Sequence, residues 1–330
     1  MRLAPIFTSH AVFASDIPIR IFGFGSGEAE VSFADVSRSV VSQGDRWELE
    51  LPAMPCGGPY ELRFSADGEE TVLDDVFVGE VYLFAGQSNM QFRLSDSNSP
   101  EEEYESIPSL RIFRTYMPWD EVPSEWEPAE SDSVGGWSAL AYLAGREIAK
   151  KKGIAVGVIT CHLGASVIES WVPQGTFAEA GIVLPDEGKH SDHFNPDYIA
   201  WNRDAYLYDN LLSKVIPFPI NGAVWYQGES DSSEAEGEVY CAELAALIAK
   251  WRELFRCGDF PFAVVQIADH DPRGDRGWKL IQEAQAKIER EADGVKTVVS
   301  ADVCESDDIH PPTKNKLAKR IADALIGMIK

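Results

Sequence analysis

The two residues best placed for covalent chemistry are a serine just past a glycine and a histidine just behind two carboxylates. Ser88 lies in Gly86-Gln87-Ser88-Asn89-Met90. At a sharp strand-to-helix turn its hydroxyl would be exposed, and its own backbone N–H would point at whatever the hydroxyl attacks. The segment is not the G-x-S-x-G elbow, because Met90 stands at the second glycine's place. A serine there serves equally well as a helix N-cap. His310 lies in Ser306-Asp307-Asp308-Ile309-His310-Pro311-Pro312. Asp307 or Asp308 could hydrogen-bond the imidazole from the same loop, fixing its tautomer and stabilising imidazolium. The prolines stiffen the loop and start a helix. Cys161-His162-Leu163-Gly164-Ala165-Ser166 and Tyr226-Gln227-Gly228-Glu229-Ser230-Asp231 offer anion donors: the backbone N–H of Gly164 and the side-chain amide of Gln227. Nucleophile, base, orienter and oxyanion donors are the set that acyl transfer needs.

These residues are far apart in the chain, so the fold must gather them. After residue 75 the sequence alternates near-continuous apolar strands with helices. Strands are expected over 75–84, 154–159, 221–226, 260–267 and 296–300, and helices over 137–152, 238–255, 278–291 and 312–329. That pattern implies an α/β parallel sheet covered on both faces, with ligands bound outside the carboxyl ends of its strands. Ser88, Gly164, Gln227 and His310 all fall in such loops. Before residue 75 the texture is different. Short alternating runs at 18–22, 29–33, 47–51 and 60–64 suggest a small β-sandwich. Two units are therefore expected, a sandwich-like one over 1–75 and a catalytic one over 76–330.

Composition narrows the class. The chain has 330 residues, 45% hydrophobic and 25% charged, enough for a sizeable core. A net charge of −25 repels phosphate backbones and anionic lipid, so neither nucleic acid nor a membrane surface is expected as a partner. No apolar run reaches the ~20 residues of a membrane helix. The N-terminal stretch has no unbroken apolar core of a signal peptide, so a cytoplasmic location is expected unless a leader has been removed. Five scattered cysteines without C-x-x-C spacing argue against a disulfide framework or a thiolate zinc site. His310 with Cys304 and the neighbouring aspartates lacks a second histidine pair, and His190 with His193 lacks a helix and a third ligand, so no metal is expected.

Five segments carry a resemblance: VGEVYLFAGQSNMQF (78–92), GVITCHLGASVIESW (157–171), AVWYQGESD (223–231), PFAVVQIA (261–268) and DIHPPTKNKLAKRIA (308–322). They resemble the sequence blocks of SGNH hydrolases, and more narrowly the sialate O-acetylesterase (SASA) family of carbohydrate esterases. Residues 5–25 and 57–64 are similar to that family's leading β-domain. The resemblance implies a flavodoxin-like three-layer α/β/α domain behind a small β-sandwich. It implies Ser88 as nucleophile, His310 as base, and Ser88, Gly164 and Gln227 as oxyanion donors. Asp307 has the superfamily's spacing and Asp308 that of the DIHP form, and a Ser–His dyad is the third arrangement. Two departures stand out. Ala165 replaces the second glycine of a GGT motif, and Gln282 replaces an arginine.

The implied reaction is hydrolysis of an O-acetyl ester on a sugar through an acetyl-enzyme on Ser88, with no metal or organic cofactor. Gln87, Trp171 and Glu229 are candidates for contacting the sugar, aromatic faces being suited to its apolar side. Glu169 and Glu229 are also suited to bracing loops. Glu229 with Glu169 or Asp231 could form the carboxylate pair of a glycosidase. The acidic, Gly- and Pro-rich stretch over 176–202 is expected to shape substrate entry. Rival readings are a catalytically inactive carbohydrate-binding protein, to which a β-sandwich lends credit, and a lipase or thioesterase of the same superfamily. Which acetylated sugar is cleaved, and whether the chain oligomerises, are not encoded in these motifs.

Overall fold

The computed structural model describes residues 1–100, 104–185 and 200–329. His190 and His193 lie outside the described residues. The chain opens with eight strands: β1 (Arg2–Leu3), β2 (Val12–Ala14), β3 (Ile19–Phe24), β4 (Gly27–Phe33), β5 (Val36–Ser42), β6 (Arg46–Leu51), β7 (Gly57–Ala66) and β8 (Glu69–Gly86). Strands β1, β3 and β6 form a three-stranded antiparallel sheet. Strands β5, β4, β7 and β8 form an antiparallel ladder, and β2 pairs in parallel with β8. Trp47 of β6 stacks on Phe64 of β7 at 5.4 Å, joining the two sheets.

Strand β8 belongs to both halves of the molecule. From Glu69 to Phe77 only Leu73 and Val76 are buried, as in a strand with one face toward solvent. From Val78 onward every residue is buried, as in a strand covered on both faces. The position of the expected boundary, between residues 75 and 76, falls inside this strand.

Then follow α1 (Ser88–Gln91), β9 (Ile107–Arg114), β10 (Trp126–Ala129), α2 (Ala139–Lys152), β11 (Val156–His162), α3 (Thr176–Glu179), α4 (Tyr206–Asn210), β12 (Gly222–Tyr226), α5 (Glu234–Phe255), β13 (Phe262–Val265), α6 (Arg276–Glu291), β14 (Val295–Val298) and α7 (Asn315–Met328). The main sheet runs β10-β9-β11-β8-β12-β13-β14, parallel except for β10 at its edge. Helix α2 packs with α7 and on β9 and β11, and α5 packs with α6. The fold is therefore mixed α/β around a large, mostly parallel sheet. Among the described residues no helix is long and apolar enough to cross a membrane.

Sequence-based expectation and structure diverge most at β9. Its sequence IPSLRIFR carries a proline and two arginines, which mask a buried strand. Arg111 is buried because Nη2 donates to Asp75 Oδ2 at 2.8 Å while the guanidinium lies over Phe77 at 4.2 Å. Helix starts follow capping chemistry. Ser138, Ser233 and Asp275 cap α2, α5 and α6 by accepting the N–H groups of Ala141, Glu236 and Trp278.

Candidate active site

Strand β8 ends at Gly86, where φ is +145° and a Cβ would lie 2.0 Å from the carbonyl oxygen of Tyr226. Only glycine fits such an approach. It lets β8 run tight against β12 and then turn at once into α1, whose first residue is Ser88. The loop before α7 comes over the same sheet edge and carries His310. The two side chains meet: His310 Nε2 and Ser88 Oγ are 2.8 Å apart. Both line a cavity of about 650 Å³ with Gln91, Phe92, Tyr116 and Trp119 among its walls.

The carboxylate behind the histidine differs from a Ser-His-Asp triad. Asp308 Oδ1 accepts from the backbone N–H of His310 at 2.8 Å, so it holds the loop, not the ring. Asp307 is exposed. Among the described residues no carboxylate reaches the imidazole within hydrogen-bonding distance; its one hydrogen bond is the one to Ser88. Burial pushes the His310 pKa down, helped by the charge of Lys314 and by His270 and opposed by Asp308. The resting ring is thus kept neutral, as a proton acceptor must be.

Gly164 lies beside Ser88: a Cβ there would lie 3.5 Å from Ser88 Cβ. Its N–H donates to Gln91 Oε1 at 2.9 Å. The neighbouring Ala165 has φ +54°, the left-handed region that favours the glycine it replaces. Asn202 Nδ2 donates to the Ala165 carbonyl at 2.7 Å, and Trp201 Nε1 to that of Gly164 at 3.2 Å.

Four candidate residues are not placed as the sequence suggests. Gln227 is wholly buried. Its Nε2 donates to the Ser166 carbonyl at 2.8 Å and to Asp231 Oδ2, and its Oε1 accepts from Tyr240 at 2.7 Å. With both amide hydrogens committed it has none for an oxyanion. Gln87 is buried too, its Oε1 accepting the N–H groups of Gly228 and Ser230 at 3.3 Å each. Trp171 is core: its Nε1 donates to Ser166 Oγ at 3.1 Å and its ring packs edge-on against Trp225. Glu229 is buried under the cleft, its Oε1 accepting from Asn89 at 2.6 Å, and burial raises its pKa. Asp231, beside Glu169, Glu236 and Glu243, is also raised, by burial first and those charges second. Glu169, Glu229 and Asp231 are all buried and none lines the cavity, so the carboxylate pair of a glycosidase is not presented. Gln282 Nε2 bonds the Ile267 carbonyl and Asp269 Oδ1, both at 3.0 Å. Among the described residues no group of three or more His, Cys, Asp or Glu could hold a metal ion.

The cavity also shows residues that motif reading passed over. Trp119 is 50% exposed and stands on its rim, with Trp201 6.3 Å away. His162 lines it with Nδ1 buried and unpartnered, and burial, reinforced by Arg114, lowers its pKa to about 4. The signal for Trp119 was present in the sequence: a tryptophan between Pro118 and Asp120, outside any apolar period.

The chain is similar to known carbohydrate esterases. The family model described as a carbohydrate esterase, sialic acid-specific acetylesterase (SASA), matches residues 78–187 and 195–327. Sialate O-acetylesterases of Pongo abelii and Homo sapiens are each 26% identical over 348 residues, covering 91% of this chain and 65% of their own length. The chain thus spans just under two thirds of the length of these curated relatives. A solved carbohydrate acetylesterase from Xanthomonas citri superposes with a TM-score of 0.87 at 28% identity, over 99% of this chain and 75% of that one. An Arabidopsis thaliana protein shares the fold at 18% identity and a TM-score of 0.53, over 76% of this chain and 99% of its own.

Proposed function

The chain belongs to the SASA family of carbohydrate esterases, and from that premise we propose that it hydrolyses O-acetyl esters on a sugar or glycan, with Ser88 as nucleophile. The observation that carries the reading is the 2.8 Å contact between His310 Nε2 and Ser88 Oγ at the floor of an open cavity. We read the fold as the flavodoxin-like three-layer domain of SGNH hydrolases behind a β-sandwich-like unit over residues 1–75. The all-buried strands of the main sheet and the Trp47–Phe64 stack between the two smaller sheets support that reading.

In this mechanism His310 takes the proton of Ser88 Oγ as that oxygen attacks the acetyl carbonyl. The carbonyl π electrons move onto oxygen, and the backbone N–H groups of Ser88 and Gly164 receive the oxyanion. Gln91 Oε1 lies on the Gly164 N–H and must swing away as the substrate oxygen arrives. The C–O bond to the sugar breaks, and His310 returns its proton to the leaving hydroxyl. A water then attacks the acetyl-enzyme, giving up its proton to His310. Collapse releases acetate and reprotonates Ser88. Among the described residues His310 has no carboxylate on its ring, so we read the pair as a dyad in which Asp308 contributes by shaping the loop. Trp119 and Tyr116 offer the sugar its aromatic wall.

The test is acetate release from a panel that includes O-acetylated sialic acid and acetylated xylan, for the wild type and Ser88→Ala. Serine-dependent release from one of these sugars sustains the reading and names the substrate. Faster cleavage of long acyl esters or thioesters moves it to the lipase or thioesterase class. Glycan binding without turnover replaces it with a binding role.

A further inference from the structure

What holds His310 onto Ser88 comes from beneath the cleft. Asn89, the residue after Ser88, donates Nδ2 to Glu229 Oε1 at 2.6 Å and to the carbonyl of Ile309, the residue before His310, at 2.9 Å. Asn89 Oδ1 accepts from Lys314 Nζ at 2.7 Å. One buried amide thus ties the nucleophile's neighbour to the base's neighbour, and its two amide hydrogens and its oxygen are all engaged. Lys314 is only 1% exposed. Its ammonium faces the rings of Phe92 at 4.9 Å and Tyr226 at 5.7 Å. Glu229 Oε2 and Tyr226 Oη are buried beside it without hydrogen-bond partners. A buried lysine with so few partners costs stability, and its retention asks for a task. The usual device that fixes a catalytic imidazole is a carboxylate on Nδ1, and none is found there among the described residues.

We propose that Asn89, clamped between Glu229 and Lys314, is a positioning residue that sets the Ser88–His310 contact in place of a ring-bound carboxylate. We propose further that the ammonium of Lys314, tied through Asn89 to the Ile309 carbonyl and seated on the Phe92 ring, whose centroid lies 6.4 Å from that of His310, keeps His310 in its proton-accepting form. Both statements rest on the esterase reading above. The electrostatics agree in sign. Lys314 and His270 disfavour imidazolium at His310, and Asp308 is the charge that opposes them. Burial lowers Lys314 itself to about 8, against the pull of Cys304, Glu229, Glu305 and Asp308.

The test measures kcat, KM and the pH profile of 4-nitrophenyl acetate hydrolysis for the full chain and three variants. Lys314→Met should move the acid limb of kcat/KM to higher pH, because the charge that disfavours imidazolium is gone. Lys314→Arg, which keeps the charge, should leave the limb where the wild type has it. Asn89→Ser should lower kcat about 10- to 100-fold with KM within about twofold, because misplacement of a reacting pair is felt in the chemical step. Asn89 and the two residues that clamp it, Glu229 and Lys314, do not line the cavity. An acid limb unmoved in folded Lys314→Met overturns the electrostatic part, and Asn89→Ser turnover within about twofold of wild type overturns the positioning part. If Lys314→Met does not fold, NMR titration of the His310 ring in the wild type decides: a midpoint at or above the ordinary imidazole value of about 6.5 overturns the electrostatic part. A wild type with no turnover, or an equally active Ser88→Ala, rejects the esterase reading and this inference with it. Serine-dependent turnover with unaltered Lys314 and Asn89 variants rejects the inference alone.

Discussion

The loops after β8 and β12 leave neighbouring strands of one sheet, each through a glycine with positive φ, and each carries polar residues of a shared motif. They do opposite things. The β8 loop turns Ser88 outward to the cavity and His310, while the β12 loop turns Gln227, Glu229 and Asp231 inward. Inward-facing polar groups must find partners in the protein; Gln227 and Asp231 do, while Glu229 engages one carboxylate oxygen and leaves Oε2 unpartnered. Gln227 joins Ser166, Asp231 and Tyr240, and its carbonyl also accepts from Gln285 Nε2 at 2.8 Å. A motif therefore marks residues that matter to a site without saying whether they face the substrate or brace the wall behind it.

The sharpest way to break this comparison is to truncate both loops. Ser88→Ala should lower kcat for acetyl esters by about 10⁴-fold or more and leave the melting temperature nearly unchanged. Gln227→Ala should act first on stability, losing about 2–4 kcal/mol because Asp231, Tyr240 and the Ser166 carbonyl lose buried partners. Denaturant unfolding reads this directly. A Gln227→Ala protein of normal stability and collapsed kcat would instead return Gln227 to the oxyanion site.

The pH profile sharpens the outward side. His310 has its pKa lowered mainly by burial, so the acid limb of kcat/KM, falling about tenfold per unit, should lie below the ordinary imidazole value of about 6.5. The linkage has the same sign. A histidine depressed in the folded state is protonated first in the unfolded chain, so stability present above about 6.5 is lost as pH falls through the folded value. Asp308→Ala should lower kcat about 10-fold by freeing the His310 backbone, and Asp307→Ala should change it less than twofold, about the range of an exposed surface substitution. Equal losses at both positions would count against the dyad. A modest effect, confined to KM, is expected at the rim. Trp119→Ala should raise KM for a sugar ester about 3- to 10-fold with little change in kcat, as loss of one aromatic contact would. The KM for 4-nitrophenyl acetate, which has no sugar, should not move.

Much of the proposed Ser88–His310 pair was legible in the sequence. A serine two residues after glycine and a histidine behind Asp307 and Asp308 fall in loops that a parallel sheet brings to one edge, because strand and helix periodicity alone place loop ends there. The class of chemistry followed from residue type. What the tertiary structure decided was direction and partnership. Trp171 reads as a sugar platform in sequence and is core, because β-sheet and helix close over it; Trp119 reads as loop and is the exposed ring. Strand β9 was hidden by arginines whose charges are met by residues distant in the chain, such as Asp75. Asn89 and Lys314 are unremarkable letters until the fold sets them 2.7 Å apart under the cleft. Periodicity is a local property and survives in the one-dimensional record. Which face a loop side chain takes depends on what else is packed against it, and that is settled only when segments more than two hundred residues apart, as Ser88 and His310 are, come together.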